Sequence, residues 1–229
     1  MSRLLGSIAT VGVTGAAMFM LLGQVRKPWG WPGRFVVWAM RLRHAGVTQW
    51  GLSRVEIGKA ATVLDVGCGS GAAIRALAAI AEHGRVFGVD YSRASVAAAT
   101  TLNANLIAEG RVHIEHAAVS KLPFTDDMFD LVTAVETHYY WPDPTADLRE
   151  LLRVLKPGGS LVLVAEQYRG ERLSKVFSIP MKLVRATYYS VGETRDLLTT
   201  AGFTGVAIGV ESMKGWISAV GRKPARAAV

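Results

Sequence analysis

Three glycines at alternate positions, Gly67, Gly69 and Gly71, follow an acid, Asp65, at the end of the apolar stretch Ala-Thr-Val-Leu-Asp-Val-Gly-Cys-Gly-Ser-Gly from Ala61 to Gly71. Glycine is needed where the backbone must turn with positive φ or let a ligand approach it closely. A second acid, Asp90, closes the next apolar run, Gly84 to Ser92, where a carboxylate can accept both hydroxyls of a ribose. This is chemistry for holding a nucleoside. Taken alone the pattern leaves two ligands open, because Gly67-x-Gly69-x-x-Ala72 with Asp90 about 20 residues on also satisfies the looser dinucleotide fingerprint. Cys68 is the only cysteine, which excludes an intrachain disulfide, argues against a cysteine-based metal site and fits a reducing cytosolic environment.

The elements that must position these groups read as alternating strands and helices. Thr62, Val63, Leu64 and Val66 have the two-faced burial of a central parallel strand, and a helix follows from Ala72 to Ala81. The strand ending at Asp90 leads into a helix from Arg93 to Ile107. Arg111 to His116 is a third strand and Leu131 to Glu136 a fourth, joined by the turn-rich Lys121 to Asp130. A helix from Asp143 to Leu155 stops at Lys156-Pro-Gly-Gly159, Ser160 to Ala165 is the fifth strand, and another helix starts near Gly192. In open α/β sheets ligands bind at the carboxyl ends of the strands, where the glycines and Asp90 fall.

At 229 residues the chain fits one α/β domain with extensions. Its net charge of +8 is local: residues 1–55 hold seven basic residues and no acid, which leaves the remainder at +1. That distribution argues against a nucleic-acid footprint. Leu4 to Gly23 is uncharged and mostly apolar, and twenty helical residues span about 30 Å, the thickness of a bilayer core. With Arg26 and Lys27 behind it, the run reads as a single uncleaved anchor holding the rest of the chain on the cytoplasmic face of a membrane; a helix packed on its own domain is the other reading. The expected layout is therefore a hydrophobic helix (1–25), a basic, tryptophan-rich linker and cap helix (26–55), and a catalytic domain (56–229). Within the second segment Lys27 to Gly33 reads as a linker and Arg34 to His44 as the helix, with Trp38 and Trp50 as candidate pocket walls.

As a set, Asp65-Val-Gly-Cys-Gly-Ser-Gly71, Gly88-Val-Asp90, Leu122-Pro-Phe124 with Phe129-Asp130, Arg153-Val-Leu-Lys-Pro-Gly-Gly159, Ala201-Gly-Phe203 and Gly221-Arg-Lys-Pro224 resemble the class I S-adenosylmethionine-dependent methyltransferases, in the branch that includes quinone-biosynthesis enzymes. The resemblance covers about residues 50 to 224. It implies a Rossmann-like, doubly wound seven-stranded α/β sheet whose last strand, Trp216 to Arg222, is antiparallel beside the sixth, Val206 to Val210. It also implies S-adenosylmethionine as cofactor, contacted by Asp65, Gly67, Cys68, Gly69, Asp90, Tyr91, Ala118, Val119 and Glu136. The loop glycines would surround the methionine part, Asp90 would hold the ribose, and the backbone at Glu136 would approach the amino-acid end. The family often places an acid after strand three for the adenine amino group; Ala118 stands there instead, leaving the amide of Val119.

Such an enzyme has only to align an acceptor with an already activated methyl group. Thr137-His-Tyr-Tyr-Trp-Pro142 follows the fourth strand, which makes His138 the candidate base, beside Tyr139, for an acidic acceptor, with Tyr140 and Trp141 shaping its pocket. The Asp/Asn-Pro-Pro-Tyr signature of amino methyltransferases is absent there. Gln167 to Val191 reads as an insertion that can serve as a lid. Together with the anchor it points to a small, lipophilic acceptor; no metal and no nucleic acid are expected. The alternatives are a soluble enzyme with another acceptor and a non-catalytic cofactor-binding scaffold.

Overall fold

The computed structural model describes Gln24, residues 28–170 and residues 186–226. The anchor expected at residues 4–23 and the middle of the lid, residues 171–185, lie outside them. Among the described residues no helix is long and apolar enough to cross a membrane.

The chain runs α1 (Gly30–Leu52), β1 (Thr62–Val66), α2 (Ala72–Ile80), β2 (Arg85–Asp90), α3 (Arg93–Leu102), α4 (Ala104–Ala108), β3 (Val112–His116), β4 (Phe129–Val135), a 3-10 turn (His138–Tyr140), α5 (Pro144–Val154), β5 (Leu155–Ala165), α6 (Val191–Ala201), β6 (Thr204–Glu211) and β7 (Trp216–Arg222). The strands form one seven-stranded sheet in the order β3-β2-β1-β4-β5-β7-β6. Strands β1 to β5 pair in parallel, and β7 slots antiparallel between β5 and β6. The doubly wound sheet with an antiparallel last strand is thus present.

Period-two alternation divides the core between two layers of helices. Leu64 and Val66 of β1 and Leu161 and Leu163 of β5 pack with Leu148 and Leu151 of α5 and Leu198 of α6. On the opposite face Val63, Val162 and Val164 meet Val47 and Leu52 of α1, Ile74 and Leu77 of α2 and Ala99 of α3. Each fully buried aliphatic side chain contributes about 1.5–3 kcal/mol to this arrangement.

Three boundaries differ from expectation for local reasons. Helix α1 begins at Gly30, inside the expected linker, and runs on to Leu52, beyond His44. Pro32 does not block it because the first turn of a helix has no use for that N–H. The helix expected over 93–107 breaks at Asn103, whose Nδ2 donates to the carbonyls of Gly71 and Ala99. Strand β5 starts before Lys156-Pro-Gly-Gly159, because a register shift between Phe129 and Leu131 absorbs that segment.

Helix α1 is seated by two close approaches. A Cβ at Gly51 would lie 2.3 Å from Val164 Cγ2 on β5, and one at Gly46 would lie 3.2 Å from the Trp216 ring on β7. Fixed in this way, the helix turns Met40, His44, Thr48 and Leu52, four residues apart, toward the carboxyl ends of the strands.

Candidate functional site

A cavity of about 700 Å³ opens over the ends of β1, β2 and β4, with α1 as its far wall. Its floor is the loop after β1. The N–H groups of Gly67 and Cys68 both donate to the Val89 carbonyl, at 2.8 and 3.0 Å, tying the loop to β2. Gly67 has φ of +72°, and a Cβ on it would lie 2.3 Å from Thr137 Oγ1. Gly69 has φ of +52°, but a Cβ there would meet nothing within 4 Å among the described residues. Gly67 is a packing requirement, whereas the backbone of Gly69 faces open space.

Asp90 is buried, and each of its oxygens takes a backbone donor: Gly69 N at 3.0 Å and Ser92 N at 2.8 Å. A carboxylate oxygen has a second lone pair, so capacity remains toward the cavity that Asp90 lines. Burial raises its pKa above the ordinary value, opposed by the Ser92 and Gly69 bonds. Asp65 is also buried and accepts from Thr133 Oγ1 at 2.7 Å. Burial, and less strongly the charge of Asp90, push its carboxyl up to about 7 against that hydrogen bond. Cys68 is buried in the same wall, and its thiol is pushed well up by burial and by both acids, which leaves it an inert filler.

Beyond β4, Glu136 has φ of +57°, a left-handed conformation rare for a residue with a side chain. Its Oε2 accepts from Tyr139 Oη at 2.6 Å and its Oε1 from the amide of Glu166. Burial raises its pKa to about 7. The next residues form the 3-10 turn, in which positions three apart eclipse one another. Thr137 and Tyr140 consequently face the cavity, and His138 and Tyr139 do not.

The structure thus places the expected catalytic pair, His138 and Tyr139, outside the cavity lining. His138 lines a separate crevice with Trp141, Tyr189 and Leu197, its Nδ1 has no hydrogen-bond partner among the described residues, and burial holds its pKa at about 4. Tyr139 is buried with Ala165, Ala186 and Ile217 and serves Glu136. Of the expected cofactor set, the cavity gathers Asp65, Gly67, Cys68, Gly69, Asp90, Tyr91 and Glu136. Ala118 and Val119 are not among its lining: Val119 packs into the core, and the turn they occupy closes on itself through Lys121 N to Ala118 O at 3.2 Å. Trp38 is half exposed, and Trp50 packs on Trp216 with ring centroids 5.9 Å apart, so neither forms a wall.

The wall instead carries His44, which composition and motif did not single out. Its Nε2 lies 3.9 Å from Glu136 Oε2, and Arg43 beside it pairs with Glu166 at 2.8 Å. The four-residue spacing of Met40, His44, Thr48 and Leu52 was the available signal. The ends of the expected lid are stitched together: Arg169 N donates to Tyr189 O at 2.9 Å, and Tyr188 Oη to Gln167 Oε1 at 2.6 Å.

Residues 64–163 match a family described as a methyltransferase domain. The chain is 39% identical over 131 residues to the 2-methyl-6-phytyl-1,4-hydroquinone methyltransferase of Synechocystis sp., an alignment covering 56% of this chain and 39% of that protein. It is 34% identical over 131 residues to methyltransferase GfsG of Streptomyces halstedii, covering 56% of this chain and 47% of that one. The chain therefore spans less than half the length of either relative. Among solved structures, the complex of the Haloferax volcanii Trm112 methyltransferase activator with a methyltransferase matches with a TM-score of 0.72 and 26% identity, over 82% of this chain and 93% of that chain.

Proposed function

We propose that the chain, whose residues 64–163 match a methyltransferase domain, is a class I S-adenosylmethionine-dependent enzyme that transfers a methyl group from that cofactor to a small, lipophilic acceptor held against α1. One observation carries the reading. The loop over the end of β1 leaves open space beside the backbone of Gly69, next to a buried carboxylate, Asp90, that retains acceptor capacity. Those groups fit the cofactor.

Asp90 would accept from the ribose hydroxyls, the Gly67 to Gly69 backbone would lie along the methionine part, and Glu136 would face the amino-acid end. Asp65 fixes the loop through Thr133 and, at its raised pKa, is largely protonated below neutral pH, which limits charge repulsion with Asp90. Tyr91 would flank the nucleoside. Bound there, the cofactor supplies a methyl group already activated by its sulfonium centre. The chain's own contribution is alignment and exclusion of water, with α1 as the cover.

An apolar acceptor is supported by Met40, Ala45, Leu52 and Ile80 in the cavity lining, and by a relative whose named substrate is a phytyl hydroquinone. Membrane association through residues 4–23 is part of the same reading. Trp29, Phe35 and Trp38, at 61%, 64% and 50% exposure near the start of α1, are side chains suited to a bilayer interface. The full chain incubated with methyl-labelled cofactor and cell lipid extract should label a lipid-soluble product. Label found only in water-soluble products would refute the acceptor class. Release of the protein from membranes by carbonate would refute a spanning anchor.

A further inference from the structure

We propose that His44 is the proton acceptor of the transfer step, and that the acceptor reacts through a hydroxyl group carried on an apolar ring. This deepens the methyltransferase reading and rests on it.

The three carboxyl groups that line the cavity are already engaged. Asp65 is taken by Thr133, and Asp90 holds the loop and faces the sugar. Glu136 accepts from Tyr139 and from the Glu166 amide. Among the described side chains, His44 is the one titratable group that α1 sends into the cavity, with its side chain 17% exposed. Burial, and secondarily the Arg43 charge, lower its pKa to about 4, so at neutral pH the imidazole is uncharged and keeps a lone pair. The Glu136 carboxyl group 3.9 Å from Nε2 is placed to stabilise the imidazolium once a proton arrives.

His44, Glu136 and Glu166 offer ligand atoms within 4.8 Å of one another, a spacing that also suits a metal ion. The neighbouring guanidinium decides against that. Arg43 Nε already donates to Glu166 Oε2 at 2.8 Å, and Tyr139 occupies Glu136 Oε2. One carboxylate is thus paired and the other hydrogen-bonded, and His44 is left for proton transfer.

In the step, the acceptor's O–H bond breaks, its proton passes to the imidazole, and its oxygen bonds the methyl carbon as the carbon–sulfur bond breaks. The products are a methyl ether, an imidazolium and a neutral thioether. The imidazolium then returns its proton to solvent. An amine with a free lone pair would need no such base before attack, whereas a weakly acidic hydroxyl would.

The test compares wild type with His44→Gln and His44→Asn on 4-substituted phenols of graded acidity, with cofactor affinity measured by calorimetry. On weakly acidic phenols kcat should fall by about 100-fold or more. On a nitrophenol already ionised at the assay pH it should fall less than about tenfold, with cofactor Kd within about twofold throughout. Addition of 2-methyl-1,4-dihydroxynaphthalene to wild type loaded with S-adenosylhomocysteine should shift the ring-nitrogen resonances of His44 and not those of His138, a readout independent of turnover. Variants within about threefold of wild type on every phenol, an equal loss on acidic and weakly acidic phenols, or abolition of transfer by a chelator would overturn the assignment. Wild type that binds cofactor but methylates only amines would overturn it and leave the methyltransferase reading standing. Wild type that binds no cofactor would overturn both.

Discussion

Gly67 and Gly69 share a left-handed backbone but differ in what surrounds them, so replacing each with alanine separates architecture from ligand space. At either position the added Cβ costs roughly 1–2 kcal/mol of backbone strain. At Gly67 it would also lie 2.3 Å from Thr137 Oγ1 and 2.7 Å from Thr137 Cβ, an overpacking that adds roughly 1–3 kcal/mol. Gly67→Ala should therefore destabilise by about 2–5 kcal/mol, and Gly69→Ala, with nothing within 4 Å, by only about 1–2. In urea titrations the midpoint of Gly67→Ala should fall furthest at unchanged slope. Thr137→Ala added to Gly67→Ala should recover part of the loss, a coupling of about 0.5–3 kcal/mol. Calorimetry should then invert the order among folded proteins. Gly69→Ala, stable enough to purify, fills the space reserved for the cofactor and should weaken it tenfold or more, about 1.4 kcal/mol. Equal destabilisation by the two variants, or wild-type cofactor affinity in Gly69→Ala, would refute the reasoning.

Three further outcomes follow. Asp90→Asn leaves one acceptor oxygen for two backbone donors at 3.0 and 2.8 Å, so it should cost about 1–3 kcal/mol in chemical denaturation and loosen cofactor binding; unchanged values for both would remove Asp90 from the site. The Asp65 and Glu136 carboxyls titrate near 7 when folded and near their ordinary lower values when unfolded, so the folded state binds the extra protons in between. Stability should therefore decline as pH rises from about 4 to about 7, and Asp65→Asn, which keeps an acceptor for Thr133, should flatten that decline; stability rising over the window in wild type would contradict the assignment. His138→Leu puts apolar bulk into a crevice separate from the cavity and should leave cofactor affinity and transfer within about twofold, whereas a roughly 100-fold loss of transfer with intact binding would make His138 the base.

The legible part of this protein is the part its chemistry makes local. The break from Val66 into Gly67 and the acid closing β2 are each written within a few residues, whereas the antiparallel β7 and the seven-stranded sheet are legible only through the family resemblance. The acceptor side was hidden by rotation and distance. Which residues after β4 meet the cavity depends on the positive φ of Glu136 and on the 3-10 turn, and both redirect side chains without changing the sequence neighbourhood. His44 reaches the site because glycines at 46 and 51 let α1 press against Trp216 and Val164, partners more than 100 residues away in the chain. Helical periodicity shows that Met40, His44, Thr48 and Leu52 share a stripe, but not what the stripe faces.

The proposed ligand of the loop after β1 is a nucleoside sulfonium. Isothermal titration of the full chain with S-adenosylmethionine and, separately, S-adenosylhomocysteine tests it most directly: saturable one-to-one binding of both is predicted, lost in Gly69→Val. Binding of a nicotinamide dinucleotide with no heat from either sulfur nucleoside would contradict it.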